Sequence, residues 1–301
     1  MNYCIKFYSD QGYKKLREIN SDEYDEVTIA KDYILFMLYF EELFEIVKLN
    51  IYEYWNLILD FTEKYRLNII TQGDIYSPVI LFNQKLANIL TSFQSYQDHL
   101  SKNLKYIFND NGKSQKYFFE RCNNKYDNYF SYRFFVRLRH FVQHKGFPIT
   151  GISFNSEVVK DRVKITLTAY AEKKSLLEYK KWNTIKPEIE KLEEKIDFKI
   201  YLNEFLHSLY NLHMDMRNFF FEDFTKYSKL IQQIETECEQ KYYREYNVKN
   251  SYKDVIEIFT YDGKKLIEKF WLPTSRLKKI IIYRATNHFR EDFLRSYTIS
   301  E

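Results

Sequence analysis

A mainly α fold is what this sequence predicts: four long helices in a bundle, with small β-hairpins attached. Three observations carry that expectation. The 301 residues include only six glycines and four prolines, so sharp turns are scarce and long helices with short connections are favoured. Apolar residues recur at steps of three and four over several long stretches, the spacing of one buried helix face. The chain also holds 28 Tyr and 26 Phe, which supply large core area, since most aromatics in such a composition pack inside.

Taken in order, residues 1–30 are polar and read as an N-terminal extension, with a short alternating strand near Tyr3–Tyr8. A first helix is expected over about 32–65, with a break near Asn50. Ser77-Pro78 supplies an N-cap and a proline at the first helical position. From there Phe82, Leu86, Ile89, Phe93, Tyr96 and Leu100 form one apolar face, which fades at Asn109-Asp110-Asn111-Gly112. A third helix is expected over about 114–145, with the stripe Phe130, Phe134, Leu138 and Phe141.

After Pro148 the period changes. Val163, Ile165, Leu167 and Ala169 alternate with polar residues as in a half-buried strand, paired with 151–157 in a hairpin. The fourth helix carries Phe198, Leu202, Phe205, Leu209, Leu212, Met216 and Phe219 on one seam and is expected to reach about Tyr243. Asp262-Gly263 joins 255–261 to 264–272 as a second hairpin, and Pro273-Thr274-Ser275 starts a helix to about Arg284. The organisation expected is an extension over 1–30, a helical bundle over 31–243 with a hairpin insertion at about 151–170, and a hairpin with a basic helix over 251–301.

Charge and cysteines narrow the function. With 46 basic and 42 acidic residues the net charge is +4, which permits a local basic patch without demanding one. Cys4, Cys122 and Cys238 lie far apart and form no CxxC pair, against a disulfide framework or a thiolate zinc site. A reducing, cytoplasmic setting is expected, with no membrane span. No Walker loop, GxGxxG, nucleophile elbow or HExxH is present, so no cofactor is expected.

One segment looks like chemistry: RFFVRLRHFVQHKGFP, residues 133–148. Arg133, Arg137 and Arg139 precede His140 and His144, and Lys145, Gly146 and Pro148 stop the helix. Cleaving RNA without a metal needs a base for the 2′-hydroxyl, an acid for the leaving oxygen and a cation for the phosphate. Histidine titrates in the right range, and the planar guanidinium matches phosphate oxygens. On an ideal helix Arg133, Arg137, His140 and His144 share one stripe, while Arg139 and His144 point roughly 140° apart. The plainer readings are arginines paired with carboxylates or solvated, and a histidine capping the helix end. His140 and His144 at i, i+4 have the spacing of two metal ligands, but no third ligand is evident, so no metal is expected.

Arg139, four residues, then His144 resembles the R-x4–6-H motif of HEPN domains (higher eukaryote and prokaryote nucleotide-binding), helical bundles in which the motif sits late in the third helix. The flank YRFFVRLRHFVQHKGFPI is similar to a segment of bacterial HEPN-like proteins, and Asp98-His99 falls late in the preceding helix, where those proteins carry polar residues. The family's arginine is usually followed by Asn; His140 departs from that. The resemblance covers about 31–243. It implies a homodimeric, metal-independent endoribonuclease, a toxin or phage-defence effector with an antitoxin or defence-system partner. His144 would then be acid/base, Arg139 the phosphate clamp and His140 an assisting group, with Arg137, Arg133, Asp98 and His99 in support. Arg137 is the alternative partner of His144. HEPN folds also serve as non-catalytic modules, so binding of RNA or a partner protein without cleavage is the other reading. His207 and His213 read as packing or surface residues, although His213 and Arg217 are one turn apart and would line one cleft. The basic tail, with Arg276, Lys278, Lys279, Arg284, Arg290 and Arg295 among Tyr283, Phe289 and Phe293, reads either as a second RNA contact or, as such a pattern more often is, as an amphipathic helix with a solvated face.

Overall fold

A computed structural model describes residues 1–9, 12–71, 73, 76–107, 111–159, 162–246 and 255–286. In chain order the elements are β1 (Asn2–Ser9), β2 (Gly12–Ile19), α1 (Ser21–Arg66), α2 (Tyr76–Ile107), α3 (Lys113–Asn128), α4 (Phe130–His144), β3 (Gly151–Val159) and β4 (Arg162–Glu172). There follow α5 (Lys173–Leu177), a 3₁₀ segment (Lys180–Ile185), α6 (Lys186–Glu190), β5 (Lys195–Asp197), α7 (Phe198–Phe219), α8 (Phe221–Tyr246), β6 (Ile256–Asp262), β7 (Lys265–Trp271) and α9 (Thr274–Thr286). The fold is mainly helical with two small antiparallel sheets, ordered β2-β1-β6-β7 and β3-β4-β5. Among the described residues no helix is long and apolar enough to cross a membrane. The described residues divide into two compact units, one of 1–42 with 217–286 and one of 43–216.

In the first unit the N-terminal hairpin pairs through β1 with β6, so strands some 250 residues apart share one sheet. Ile5, Phe7, Ile256 and Ile258 are fully buried on its inner face, where Phe7 meets Tyr242 of α8 and Phe270 meets Tyr24 of α1. Helix α1 starts at Ser21, eleven residues before the expected start. Asn20 caps it by accepting from the Glu23 amide at 2.8 Å, and Asp22 and Glu23 suit the positive end of the helix dipole. Nor does α1 break at Asn50, whose side-chain amide donates to the Ile46 carbonyl one turn back.

The second unit is built on rings. Phe82 of α2 meets Tyr54 and Phe61 of α1, Phe93 of α2 meets Tyr132 of α4 and Phe205 of α7, and Phe134 of α4 meets Phe198 and Tyr201 of α7. The expected third helix is two helices. Tyr129 is extended (φ −120°, ψ 115°) between α3 and α4, after the run Asp127-Asn128 of weak helix formers. The expected fourth helix likewise ends at Phe219, and α8 begins at Phe221. The Phe220 carbonyl at that break accepts from the buried Tyr33 hydroxyl at 3.1 Å in the first unit.

The apolar face of α4 is covered by the 3₁₀ segment. Trp182 is fully buried, stacks on Phe134 and Phe141, and donates its indole N–H to the Leu176 carbonyl at 2.6 Å. The next residue, exposed Asn183, takes φ 54° and ψ −128°, a region that costs a non-glycine residue of order 1–3 kcal/mol. Asn183→Gly is therefore expected to stabilise the protein by about 1 kcal/mol once glycine's extra chain entropy is set against the strain. A shift of the urea midpoint at constant m-value checks it; an unchanged or lower midpoint would show no strain there.

Candidate functional site

Helix α4 turns Phe134, Phe135, Leu138 and Phe141 inward, and all four are buried. That anchoring fixes the direction of every other side chain on the helix. Arg137, Arg139 and His140 are half-buried, and His144 is exposed. The helix stops where the amides of Lys145 and Gly146 both donate to the Phe141 carbonyl, with Gly146 at φ 149°.

His140 and His144 lie on one face, as the four-residue spacing requires. Their rings are nearly parallel (9°) with centres 6.5 Å apart. Burial, then Arg139, Arg137 and His144 in that order, hold the His140 imidazole below the usual histidine value. At neutral pH His140 is therefore the free base, able to accept a proton. Among the described residues Arg139 makes no hydrogen bond or ion pair, and Arg137 makes one long bond, to the Tyr126 hydroxyl at 3.3 Å. Both guanidiniums are thus available to an anion.

Two supporting groups expected here are placed otherwise. Arg133 is committed to structure. Its guanidinium forms a two-pronged ion pair with Glu188 of α6, with Nε to Oε1 at 3.0 Å, and bonds the Tyr126 and Asp127 carbonyls at the end of α3. Asp98 and His99 are not beside the histidines. Gln97 donates to the Tyr132 hydroxyl at 2.8 Å, near the start of α4, whereas Asn83 pairs with Ile149, just past its end. Helices α2 and α4 therefore run antiparallel, and Asp98-His99 sits level with Tyr132, roughly 18 Å along the axis from His144. Asp98 accepts from Gln94 and lines a shallow cleft with Ser101, Lys102, Phe119 and Cys122.

The remaining candidates are structural. His213 is fully buried, stacked on Phe44 with centres 4.2 Å apart and 3.4 Å from the Tyr96 hydroxyl, so it packs in the core and lines no open cleft. Arg217 is buried against Glu41. His207 is exposed and meets Asn211. In α9, Lys278 pairs with Glu235, Lys279 with Glu42 and Arg284 with Glu41, so most of its basic residues are neutralised; Arg290, Arg295, Phe289 and Phe293 lie outside the described residues. Burial pushes the thiols of Cys122 and Cys238 up to about 11 and about 12, which removes them as nucleophiles at neutral pH. Among the described residues no group of three or more His, Cys, Asp or Glu is placed to hold a metal ion.

Glu188 and Tyr126, which orient Arg133 and Arg137, carry no signal in the sequence; one lies 55 residues from its partner. No family model, no curated protein and no solved structure matches the chain.

Proposed function

We propose that this protein is a HEPN-like, metal-independent endoribonuclease that works through the exposed face of α4. The observation that supports it most is the His140–His144 pair: two parallel imidazoles 6.5 Å apart, His140 held below the usual histidine value, flanked by Arg139 and by Arg137, whose one bond is the long contact to Tyr126. Each imidazole reaches about 3 Å for a hydrogen bond, so both can touch one phosphodiester placed between them. Arg139 and Arg137 hold the phosphate oxygens. His140 takes the proton of the 2′-hydroxyl as its oxygen attacks phosphorus. The bond to the 5′-oxygen breaks, and His144 gives that oxygen a proton. The products are a 2′,3′-cyclic phosphate and a 5′-hydroxyl, so protons and charge balance without a metal.

The site is an open face, and a second copy laid against it would exclude water and complete the cleft, as in the family it resembles. A toxin or defence role, with an antitoxin or partner protein controlling access, belongs to the same proposal.

The test is RNA cleavage by purified protein in excess EDTA. Wild-type cleavage is expected to be unchanged by the chelator and lost in His144→Ala, with the variant still folded by circular dichroism. A rate abolished by EDTA would point to a metal enzyme. RNA binding without cleavage in the wild type would favour the non-catalytic module.

A further inference from the structure

The outer face of the four-stranded sheet has a composition that its inner face does not share. Register places Lys6 and Tyr8 of β1, Tyr13 and Lys15 of β2, Phe259 and Tyr261 of β6, and Lys269 and Trp271 of β7 on this side. The rings touch in sequence. Tyr8 meets Tyr13 edge-on at 5.3 Å, Tyr13 meets Phe259 at 5.6 Å, and Phe259 stacks on Tyr261 at 6.1 Å. Lysines sit over them: Lys6 Nζ is 4.4 Å from the Phe259 centre, and Lys269 Nζ is 5.5 Å from that of Tyr13. Tyr13 is 46% exposed and Trp271 is 71% exposed.

Glu257, fully buried on this face, fixes the arrangement. Its Oε1 accepts from the Trp271 indole at 2.5 Å and from Lys269 at 3.0 Å. The indole is thereby held at a set angle with its ring in solvent, so little entropy is lost when something stacks on it. At the β7 edge the face runs into a cleft of about 510 Å³ lined by Lys31, Leu35, Phe270, Trp271, Pro273 and Arg276. Trp271 belongs to both. Most cations here are matched by carboxylates: Lys15 by Glu18, Lys31 by Asp32, Lys269 by Glu257. Lys6 and Arg276 are not. Among the described residues Lys6 bonds only the Tyr261 hydroxyl, and Arg276 makes no ion pair.

We propose that this face and its edge cleft bind single-stranded RNA. Bases stack on Tyr13 and Trp271, and phosphates pair with Lys6 and Arg276. Exposed rings interleaved with lysines suit unpaired bases, which offer π-faces at regular intervals along a charged backbone. An apolar peptide would leave the uncompensated cations unmatched, and a duplex keeps its bases stacked on one another and so offers no free π-faces to the exposed rings. The choice of RNA over DNA rests on the ribonuclease reading; the stacking and charge arguments do not.

The test uses the full chain with fluorescein-labelled U12 RNA and T12 DNA. Trp55 and Trp182 are buried, so quenching of exposed indole emission reports on Trp271. Quenching is expected to accompany U12 binding. Tyr13→Ala and Trp271→Ala should each weaken binding, read by anisotropy, by about 5- to 150-fold, the effect of losing one stacked base. Lys6→Gln should flatten the salt dependence by about 0.7 in the log–log slope. Trp271 is the more exposed of the two rings, so its variant keeps the test open if Tyr13→Ala fails to fold. Trp271 is the only exposed indole among the described residues, so its quenching separates this site from the histidine pair. Unquenched emission at saturating U12, or wild-type affinity in both aromatic variants, would overturn the site; equal affinity for T12 would overturn its assignment to RNA.

Discussion

His140→Ala is expected to slow RNA cleavage by about 10²- to 10⁴-fold, the range over which a positioned acid or base contributes. The pH dependence identifies the group. Because burial and the two arginines hold His140 low, the wild-type rate should rise with pH through a midpoint below about 6.5, the usual histidine value, and that acid limb should vanish in the variant. Arg139 is the largest charged cause of the depression, so Arg139→Gln should move the limb towards higher pH while weakening RNA binding. The same shift has a consequence for stability. The unfolded chain takes up the His140 proton first as pH falls, so the unfolded state binds more protons between the ordinary value and the folded one. Wild type should therefore lose stability across that window relative to His140→Gln, with no further difference below the folded value. Urea midpoints at a series of pH values measure this; a gap that moves the other way would mean that His140 gains a proton on folding.

Glu41→Ala is expected to destabilise the protein by about 3–5 kcal/mol, the cost of leaving buried charge without its partner. Glu41 has no exposed surface. Its carboxylate accepts from Arg217 Nε at 2.9 and 3.2 Å and from Arg217 Nη2, and from Arg284 Nε at 3.3 Å. Arg284 lies 3.8 Å from the centre of the Phe224 ring, and burial already pushes its guanidinium down. Without the carboxylate, two guanidiniums lose the charge that opposes them in the same interior. Glu41→Gln keeps an acceptor and loses the charge, so it should fall between wild type and Ala. Pairing Glu41→Ala with Arg217→Met should recover part of the loss, because it removes one of the stranded charges. Urea unfolding of the three variants orders them; near-wild-type stability of Glu41→Ala would mean that the cluster is hydrated in solution.

Local signals in the sequence reported local structure well. The run Phe82, Leu86, Ile89, Phe93, Tyr96 and Leu100 is buried along α2, and Asp262-Gly263 turns the β6–β7 hairpin with Gly263 at φ 60°. The stripe of His140 and His144 was legible for the same reason, since a four-residue step on a helix fixes a shared face. Long-range pairing left no such trace. Nothing in residues 1–9 says that β1 pairs with β6, because a strand's alternation gives its faces and not its neighbour. The commitment of Arg133 to Glu188 was hidden in the same way, as was Trp182 filling the apolar face of α4. Asp98-His99 was misplaced by direction: the resemblance put it in support because it falls late in the preceding helix, but antiparallel α2 and α4 set that end far from His144. The break at Tyr129 was missed because neither glycine nor proline marks it; the weak helix formers before it were the only warning.

The chemistry of the cut ends decides most directly whether the α4 face is a metal-free acid–base site. RNA should be incubated in EDTA with wild type and with the His140→Ala/His144→Ala double variant, and the fragments analysed for their termini. Wild type should yield 2′,3′-cyclic phosphates and 5′-hydroxyls, and the double variant should yield none. Termini bearing 5′-phosphate and 3′-hydroxyl, or the same cyclic products at the same rate from the double variant, would contradict it.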